Sequence, residues 1–329
     1  MKRILLVGAI LFGTACMAQD PHFSQYYASQ ATVNPATAGL YQGDMRLSGL
    51  YRQQWPQFGS AFVTGTFAFE WKPQGFKDGQ NINRLSLGGM MMYDKTPDEV
   101  LKGQYLYGII AYHKALDAEG NHKIGLGFMA GYNQRMLDPS KLTFGNQFNG
   151  SGWTPGMGEL IKSRKSGTFD LHSGLLYSYE TEDKLIYAGG SVYHLLAPQD
   201  YFMNDNDVLD YVPRRMNFNA GFNMVAESGL RYAGSVLVMN QAKVNEIMGG
   251  GAVGFPFAQD EGVLYAGAWY RVKESVIPTV NLQYKNMNLG LSYDIFMSSG
   301  KTVTKPKSFE LSLAYRVIPY KNPTGCFVF

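Results

Sequence analysis

The feature that most constrains this chain is an alternation of apolar and polar residues with a period of two. In one stretch every second residue is apolar, at Ile124, Leu126, Phe128, Ala130 and Tyr132, and mostly polar or small residues stand between them. Because successive side chains of a β-strand point to opposite faces, this pattern predicts a strand with one apolar and one polar face. The pattern recurs about fourteen times along the chain, which predicts a protein built from β-strands.

Repeated amphipathic strands predict a transmembrane antiparallel β-barrel, because lipid accommodates only structures whose backbone hydrogen bonds are satisfied internally. The fold class we expect is therefore all-β, a barrel of about 14 strands with a periplasmic N-terminal arm. The predicted strands span 44–53, 61–71, 84–94, 102–114, 122–135, 166–180, 184–196, 216–226, 230–240, 245–255, 262–272, 277–286, 288–298 and 307–317.

The two faces of these strands differ in chemistry. Residues expected to face lipid include Val63, Gly65, Phe67, Phe69, Trp71, Leu85, Leu87, Gly89, Met91, Tyr93, Leu175, Tyr177, Tyr179, Val263, Tyr265, Gly267, Trp269, Leu289, Leu291, Tyr293 and Ile295. The opposite face carries charges of both signs, at Arg46, Arg52, Glu70, Arg84, Asp170, His172, Glu180, Arg231, Asp294, Glu310 and Arg316. Such charges can pair across a lumen or contact an inserted segment, so we expect a polar interior partly filled by loops.

The first residues, 1–18, have the pattern of a secretory signal peptide. Met1 to Arg3 are basic at two positions, Ile4 to Ala15 are apolar, and small residues precede a cleavage site before Gln19. A lipoprotein leader cut before Cys16 is the competing interpretation. The apolar run is shorter than the roughly 20 residues that a membrane-spanning helix needs. We therefore expect an exported chain that is inserted in the outer membrane.

The rest of the chain divides at the ends of the strand pattern. The expected parts are the signal peptide 1–18, a periplasmic N-terminal arm 19–43, the transmembrane β-barrel 44–317 and a periplasmic C-terminal tail 318–329. Pro21, Pro35 and Gly39 interrupt regular structure in the arm, which we expect to pack near the periplasmic mouth. Strand parity places the two longest connections, 136–165 and 197–215, on the same, outer side.

Composition excludes several classes of protein. The chain is 45% hydrophobic and 14% aromatic, which is less apolar than a helical membrane protein and suits a barrel with one face in lipid. The net charge of +3 is small and unclustered, so no nucleic-acid partner is expected. After leader removal only Cys326 remains, so no internal disulfide and no thiol metal site is predicted.

Candidate catalytic groups are few. Asp170 and His172 share one strand face, and His194 is assigned to the inner face of the next strand. A barrel hydrolase would need such a histidine beside a serine on the lipid side, whereas strand parity directs these inward. The acidic and amide run 204–207 could weakly bind calcium, although a solvated loop is the favoured explanation. We predict no enzyme, no cofactor, no metal and no catalytic residue.

Several segments together resemble the PorP/SprF family of outer-membrane proteins from the type IX secretion and gliding machinery of Bacteroidetes. The segments are Gln19 to Tyr27, Asn34 to Gly39, Tyr51 to Pro56, Ser191 to Pro198, Leu291 to Asp294 and Phe309 to Arg316. The family-motif positions, with a structural or a partner-contact role, are Pro21, Phe23, Gln25, Tyr27, Asn34, Pro35, Gly39, Arg52, Gln54, Trp55, His194, Pro198, Tyr293 and Asp294. The arm segment is placed at the periplasmic entrance of the first strand, and the Arg52 segment at its outer exit.

The resemblance implies a non-enzymatic barrel at the cell surface that assists export of secreted proteins or anchors them. Implied partners are other type IX secretion components, secreted proteins with C-terminal sorting domains, surface adhesins, a peptidoglycan-linked lipoprotein and outer-membrane lipid. The alternative is a solute channel of the porin or fatty-acid-transporter kind.

Overall fold

The alternating segments form fourteen β-strands that close into one barrel in the computed structural model. The structure describes residues 20–73, 83–142, 147–152, 164–199, 211–259, 261–297 and 306–318. The strands are β1 Met45–Gln54, β2 Phe62–Trp71, β3 Arg84–Lys95, β4 Leu101–Ala115, β5 His122–Leu137, β6 Arg164–Glu180, β7 Lys184–Tyr193, β8 Arg215–Val225, β9 Arg231–Gln241, β10 Val244–Phe257, β11 Gly262–Arg271, β12 Ser275–Tyr284, β13 Met287–Phe296 and β14 Lys307–Val317. The predicted barrel is thus confirmed.

Each strand pairs antiparallel with its neighbours in the sequence, and the first and last strands close the ring. Met45 of β1 lies opposite Val317 of β14, and the pairing continues to Gln54 and Ser308. Every strand therefore has two hydrogen-bonded partners, which leaves no sheet edge for lipid to meet. Among the described residues, no helix has the length and apolar character needed to cross a bilayer.

The barrel has two distinct ends, which we name by their connections. The turn end is where β1 begins and β14 ends, and it holds tight connections such as 181–183 and 285–286. The loop end is opposite, and it holds the two longest connections, 138–163 and 194–214. The prediction that both long connections share one side is confirmed.

The outer face of the barrel is apolar along its circumference. Phe67 of β2, Met91 of β3, Leu175 of β6 and Leu291 of β13 are all exposed on the outside, as the alternation predicts. Their neighbours in sequence line the lumen, where Ser292 is polar and Ala68, Met90 and Leu176 are apolar. The lipid-facing sets on these four strands are confirmed, because strand parity fixes them once one residue is placed.

The face assignment of β11 is wrong. Val263, Tyr265 and Trp269 were expected to meet lipid, but each is nearly fully buried inside the barrel, whereas Leu264 and Tyr270 are exposed outside. Both faces of β11 carry apolar residues, so alternation alone cannot say which face is inward. The inward aromatic residues need an apolar partner inside the lumen.

That partner is the N-terminal segment Asp20–Tyr41, which we call the plug. It contains two short 3₁₀ helices, Gln30–Thr32 and Pro35–Thr37, and its side chains are mostly buried. The expected position near one mouth is wrong, because the plug lies inside the lumen and contacts residues from the loop end to the turn end. The interior was predicted to be polar and partly filled by loops, but the plug fills it, and part of its lining is apolar.

Some predicted features lie outside the described residues. These are the signal peptide 1–18, the acidic run 204–207 and the C-terminal tail 318–329 apart from Ile318. They stay predictions.

Candidate functional site

The plug is fastened at the loop end by two buried carboxylates. Glu310 of β14 accepts hydrogen bonds from the backbone N–H groups of Ser24 (2.6 Å) and Gln25 (2.7 Å). The Ser24 hydroxyl donates to Asp294 of β13 (2.8 Å). Arg52 of β1 donates to Glu310 (2.7 Å) and to Asp294 (3.2 Å). A guanidinium thus neutralises the same two carboxylates that hold the plug backbone.

A second arginine completes this loop-end cluster. Arg271, the last residue of β11, donates to the Ser24 hydroxyl (2.9 Å) and to Glu274 (2.8 Å). Its Nε lies 3.3 Å from Glu246 of β10, and that carboxylate lies 3.2 Å from Nε2 of His22. Ser24 therefore contacts four strands of the wall through charged partners, which fixes the plug's position around the lumen.

The first described residue of the plug, Asp20, joins the two strands that flank the long β7–β8 connection. Its carboxylate accepts hydrogen bonds from His194 Nε2 (2.7 Å) and lies 3.1 Å from Arg215. Its backbone N–H donates to Gln241 (3.0 Å). The other nitrogen of His194, Nδ1, bonds to Asp170 of β6. His194 therefore bridges a wall carboxylate and a plug carboxylate.

The charges of this bridge follow from its surroundings. Burial lowers the pKa of His194, but the Asp20 and Asp170 carboxylates outweigh that effect and raise it to about 9. Burial raises the pKa of Asp20, but His194 and Arg215 outweigh it and hold the pKa well below its usual value. At neutral pH the bridge is thus an imidazolium between two carboxylates.

The backbone, and not strand parity, brings His194 inside. The structure ends β7 at Tyr193, not at 196 as predicted, and His194 has a positive φ of 57°. Tyr193 already faces the lumen, so a continued strand would direct His194 outward. The inward placement was correct, and the parity argument for it was wrong.

Asp170, His172 and His194 place ligand-type atoms within 4.8 Å of one another, a spacing that a metal could bridge. However, Nδ1 of His172 accepts a hydrogen bond from the His194 backbone N–H (3.0 Å). A neutral His172 then carries its proton on Nε2. A protonated ring nitrogen has no free lone pair, so it cannot ligate a cation. The His172 ring packs on Tyr193 at a centroid distance of 4.5 Å. The arrangement is therefore that of a hydrogen-bonded network.

In the middle of the lumen, glycines of the wall make a recess for the plug. Asn34 donates to the Leu175 carbonyl (3.2 Å) and to Asn219 (3.1 Å). A Cβ at Gly174 would lie 1.9 Å from Asn34 Oδ1, and one at Gly127 would lie 2.4 Å from the Ala36 nitrogen. Only a wall without side chains at these positions lets the plug approach so closely.

Aromatic packing fills another part of the lumen. The ring centroid of Tyr27 lies 4.7 Å from that of Trp269, and Tyr26 meets Tyr27 edge to face at 5.8 Å. Tyr26 shares a hydrogen bond with Ser235 (2.8 Å), whose hydroxyl also accepts from Trp269 (3.2 Å). This packing explains why β11 is apolar on its inner face.

At the turn end the plug leaves the lumen beside Glu70 of β2. Glu70 accepts hydrogen bonds from the Gly39 N–H (3.0 Å) and from Arg46 (2.6 Å). The Tyr41 hydroxyl donates to the Glu70 carbonyl (3.1 Å), and Arg84 donates to the Gly39 carbonyl (3.1 Å). Gly39 has a φ of +85°, a conformation that favours glycine.

The structure places the motif positions in two groups, and some members of each group meet inside the barrel. The first group lies on the plug: Pro21, Phe23, Gln25, Tyr27, Asn34, Pro35 and Gly39. The second lies toward the loop end: Arg52, Gln54, Trp55, His194, Pro198, Tyr293 and Asp294. The segment at Asn34 is therefore within the lumen, not at the entrance of the first strand as expected, whereas Arg52 is at the loop-end exit of β1 as expected.

The motif residues do not all contact one another. Arg52 and Asp294 meet around Ser24, and Gln54 lies beside the Arg52 guanidinium. Tyr293 is 41% exposed on the outer face, away from the plug. Trp55 follows β1 with a positive φ and packs edge to face on Phe62 outside the lumen.

Sequence reasoning missed four residues that hold the plug: Asp20, Ser24, Arg215 and Arg271. Arg271 was hidden by the wrong face assignment of β11, which directed it outward. Arg215 was placed just before the predicted start of β8. Ser24 lies between the motif positions Phe23 and Gln25. This position in the motif was the sequence signal that could have identified Ser24 as a residue that holds the plug.

The fold and the filled lumen together define a class, the outer-membrane β-barrel with an internal plug. Among solved structures, the chain is similar to two mutants of the TodX monoaromatic hydrocarbon channel of Pseudomonas putida. The deltaS2 mutant gives a TM-score of 0.52 at 8% identity, covering 88% of this chain and 93% of that one. The deltaS2S3 mutant gives 0.51 at 9% identity, covering 93% and 95%. At these identities the likeness concerns the fold alone.

The family model for the type IX secretion system membrane protein PorP/SprF matches residues 15–315. The chain belongs to this family, which confirms the resemblance carried by the motifs. No curated protein matches the chain. Secretion barrels of this family are non-enzymatic in kind. Membership of the family implies that other secretion components are partners of the chain.

Proposed function

We propose that this protein is a closed outer-membrane barrel that holds an exported protein of the type IX secretion system at the cell surface. In this proposal the loop end faces outward and binds the exported protein, and the turn end faces the periplasm. The observation that carries the proposal is the plug, whose buried contacts occupy the lumen from one end to the other.

A filled lumen supports an anchoring role over transport through the barrel. The guanidinium of Arg52 and the carboxylates of Asp294 and Glu310 are at most 1% exposed, and all three contact the plug. Breaking a buried ion pair leaves an unpaired charge, which is strongly unfavourable. A solute passing through the lumen would have to displace these contacts.

The test combines purification with conductance. A tag at the β7–β8 connection allows the detergent-solubilised barrel to be recovered with its partners, which mass spectrometry identifies. We expect a secretion subunit or an exported protein with a C-terminal sorting domain. Recovery of the barrel without any such protein, under conditions that preserve other membrane complexes, contradicts the proposal. A peptidoglycan-linked lipoprotein would be consistent with contact at the turn end.

A solute channel is the second candidate, and the fold likeness to TodX, a monoaromatic hydrocarbon channel, favours it. Planar bilayer recording separates the two candidates. The anchor predicts no steady current from the intact chain and a steady current from a variant lacking residues 20–41. Steady current from the intact chain without partners favours the channel.

A further inference from the structure

The strand β6 is longer than the strand that follows it. It has 17 residues, whereas β7 has 10. The strand β5 pairs with β6 over residues 164–179, but β7 pairs only with residues 173–180, which lie toward the turn end. The loop-end part of β6 therefore has a strand on one side only. We call its residues 165–169 the edge segment.

The free side of the edge segment presents backbone groups without partners. The Leu171 carbonyl accepts a hydrogen bond from the Leu195 N–H (2.9 Å), so the odd-numbered residues here direct their backbone groups away from β5. The N–H and C=O groups of Lys165, Gly167 and Phe169 point the same way, and they form no hydrogen bond within the part of the chain that the structure describes. Such a row is a template for pairing with another strand.

The length of β6 places the edge segment outside the hydrocarbon layer. A transmembrane strand needs about 9 to 11 residues, and β6 exceeds this length at the loop end. An open edge is costly in hydrocarbon, where nothing replaces the missing hydrogen bonds, whereas water satisfies it. The edge segment is therefore accessible to a partner from the outer side.

The side chains beside this edge indicate which strand would fit. On the outer face, Phe169 is 59% exposed and lies opposite Tyr132 of β5. Lys165 is exposed on the same face, and it forms no ion pair with the described residues. Because directly opposite side chains of paired strands contact each other, an apolar residue opposite Phe169 and an acidic residue opposite Lys165 would be favoured.

We propose that the edge segment binds an extended strand of the exported protein by β-strand addition. This inference rests on the proposed function, in which the loop end binds that protein. The backbone groups supply the affinity, and Lys165 and Phe169 select a strand with an acidic and an apolar residue at the matching positions. Because β5 already holds β6 in an extended form, binding orders only the partner strand.

A proline at the edge tests the backbone hydrogen bonds. Phe169→Pro removes an edge N–H that the fold does not use, whereas Phe169→Ala removes the same aromatic ring and keeps the N–H. With an affinity tag in the turn-end connection 72–83, mass spectrometry measures the exported protein recovered with each barrel. We expect about tenfold less with Phe169→Pro than with Phe169→Ala. A heat-modifiable gel mobility shows that each variant is folded.

Lys165→Glu tests the charge, and it decides the question if Phe169→Pro fails to fold, because this side chain is exposed. We expect recovery of the exported protein to fall about threefold. Lys243→Glu is the matched control, because Lys243 is an exposed lysine in the connection between β9 and β10, also at the loop end. It should leave recovery unchanged.

Photo-crosslinking identifies the occupant of the edge. A benzophenone maleimide on Lys165→Cys, in a Cys326→Ser background, should link the barrel to the exported protein, and the same label on Lys243→Cys should not. A link from Lys165→Cys to a second copy of this chain overturns the proposal.

The outcomes separate this inference from the proposed function. Equal recovery of the exported protein by folded Phe169→Pro and Phe169→Ala overturns the edge proposal and leaves the proposed function standing. Where Phe169→Pro does not fold, equal recovery by Lys165→Glu and Lys243→Glu does the same. Recovery of no exported protein by the wild-type barrel contradicts the proposed function, and the edge proposal falls with it.

Discussion

The two ends of the lumen hold the plug by different chemistry. At the loop end, Arg52 and its carboxylate partners Asp294 and Glu310 have side chains that are 0 to 1% exposed. At the turn end, the side chains of the ion pair between Arg84 and Glu180 are 21% and 24% exposed. The loop end thus binds the plug through fully desolvated charges, whereas the turn end combines the buried Arg46–Glu70 pair, 7% and 3% exposed, with a pair that is partly exposed to water.

This difference indicates where the plug is held firmly. Two carboxylates, two arginines and the plug backbone satisfy one another at the loop end, so that removal of any one partner leaves a buried charge. At the turn end only the Arg46–Glu70 pair is shielded, and water screens the Arg84–Glu180 pair and can replace either of its partners. We therefore expect the plug to open first at the turn end.

The largest effect is expected for Glu310→Gln. The substitution removes the charge that Arg52 pairs with and weakens the acceptor for two plug N–H groups. We expect the free energy of unfolding to fall by about 3 to 5 kcal/mol. Equilibrium denaturation in lipid vesicles measures it. A double-mutant cycle with Arg52→Gln should show strong coupling, and additive losses would contradict a shared cluster.

A smaller effect with a clearer readout is expected for Gly174→Val. Its side chain would overlap Asn34 and Pro35, which belong to the plug and not to the barrel wall. Overpacking of this kind costs about 1 to 3 kcal/mol and should displace the plug. A steady bilayer current, absent in wild type, is the expected result.

Gly190→Val is the control for that substitution. Gly190 belongs to β7, and its Cβ would meet only the Asn217 carbonyl at an ordinary 3.6 Å. This variant should remain closed. Equal currents from both variants would mean that valine disturbs the wall and not the plug.

A third effect depends on pH. The raised pKa of His194, about 9, means that its bridge to Asp20 stabilises the fold fully below the unfolded value of 6.5 and loses this contribution as pH rises through 9. By linkage, the loss between pH 7 and pH 10 should be about 2 kcal/mol. Hydrogen exchange of the plug at pH 7 and pH 10, with His194→Asn as the pH-insensitive control, checks it. Greater protection at pH 10 would contradict the bridge.

The strands and most of their faces were predictable because their pattern is local. Alternation fixes both the strand and its inward face wherever one face is polar, as in β5 and β13. It failed in β11, whose inner face is apolar because it packs on Tyr26 and Tyr27. A single strand's sequence carries no information about that distant partner.

The plug contacts were not predictable for the same reason. Ser24 and Glu310 are separated by 286 positions in the chain, and no spacing rule links them. The motif positions indicated which segments matter, but not that they meet inside the lumen. The direction of the His194 side chain was not predictable for a different reason. The positive φ of this residue, directly after Tyr193, turns its side chain inward, whereas strand alternation would direct it outward.

The smallest effect is expected for Arg84→Gln at the turn end. Its ion pair with Glu180 is partly exposed, and Lys123 also contacts Glu180 (3.0 Å), so that carboxylate keeps a partner. We expect a loss of about 0.5 to 1 kcal/mol, reduced further by salt. Denaturation at low and high salt, beside Glu310→Gln under the same conditions, measures the contrast. If Arg84→Gln costs as much as Glu310→Gln, the plug is held equally at both ends, and the turn end is not where it opens first.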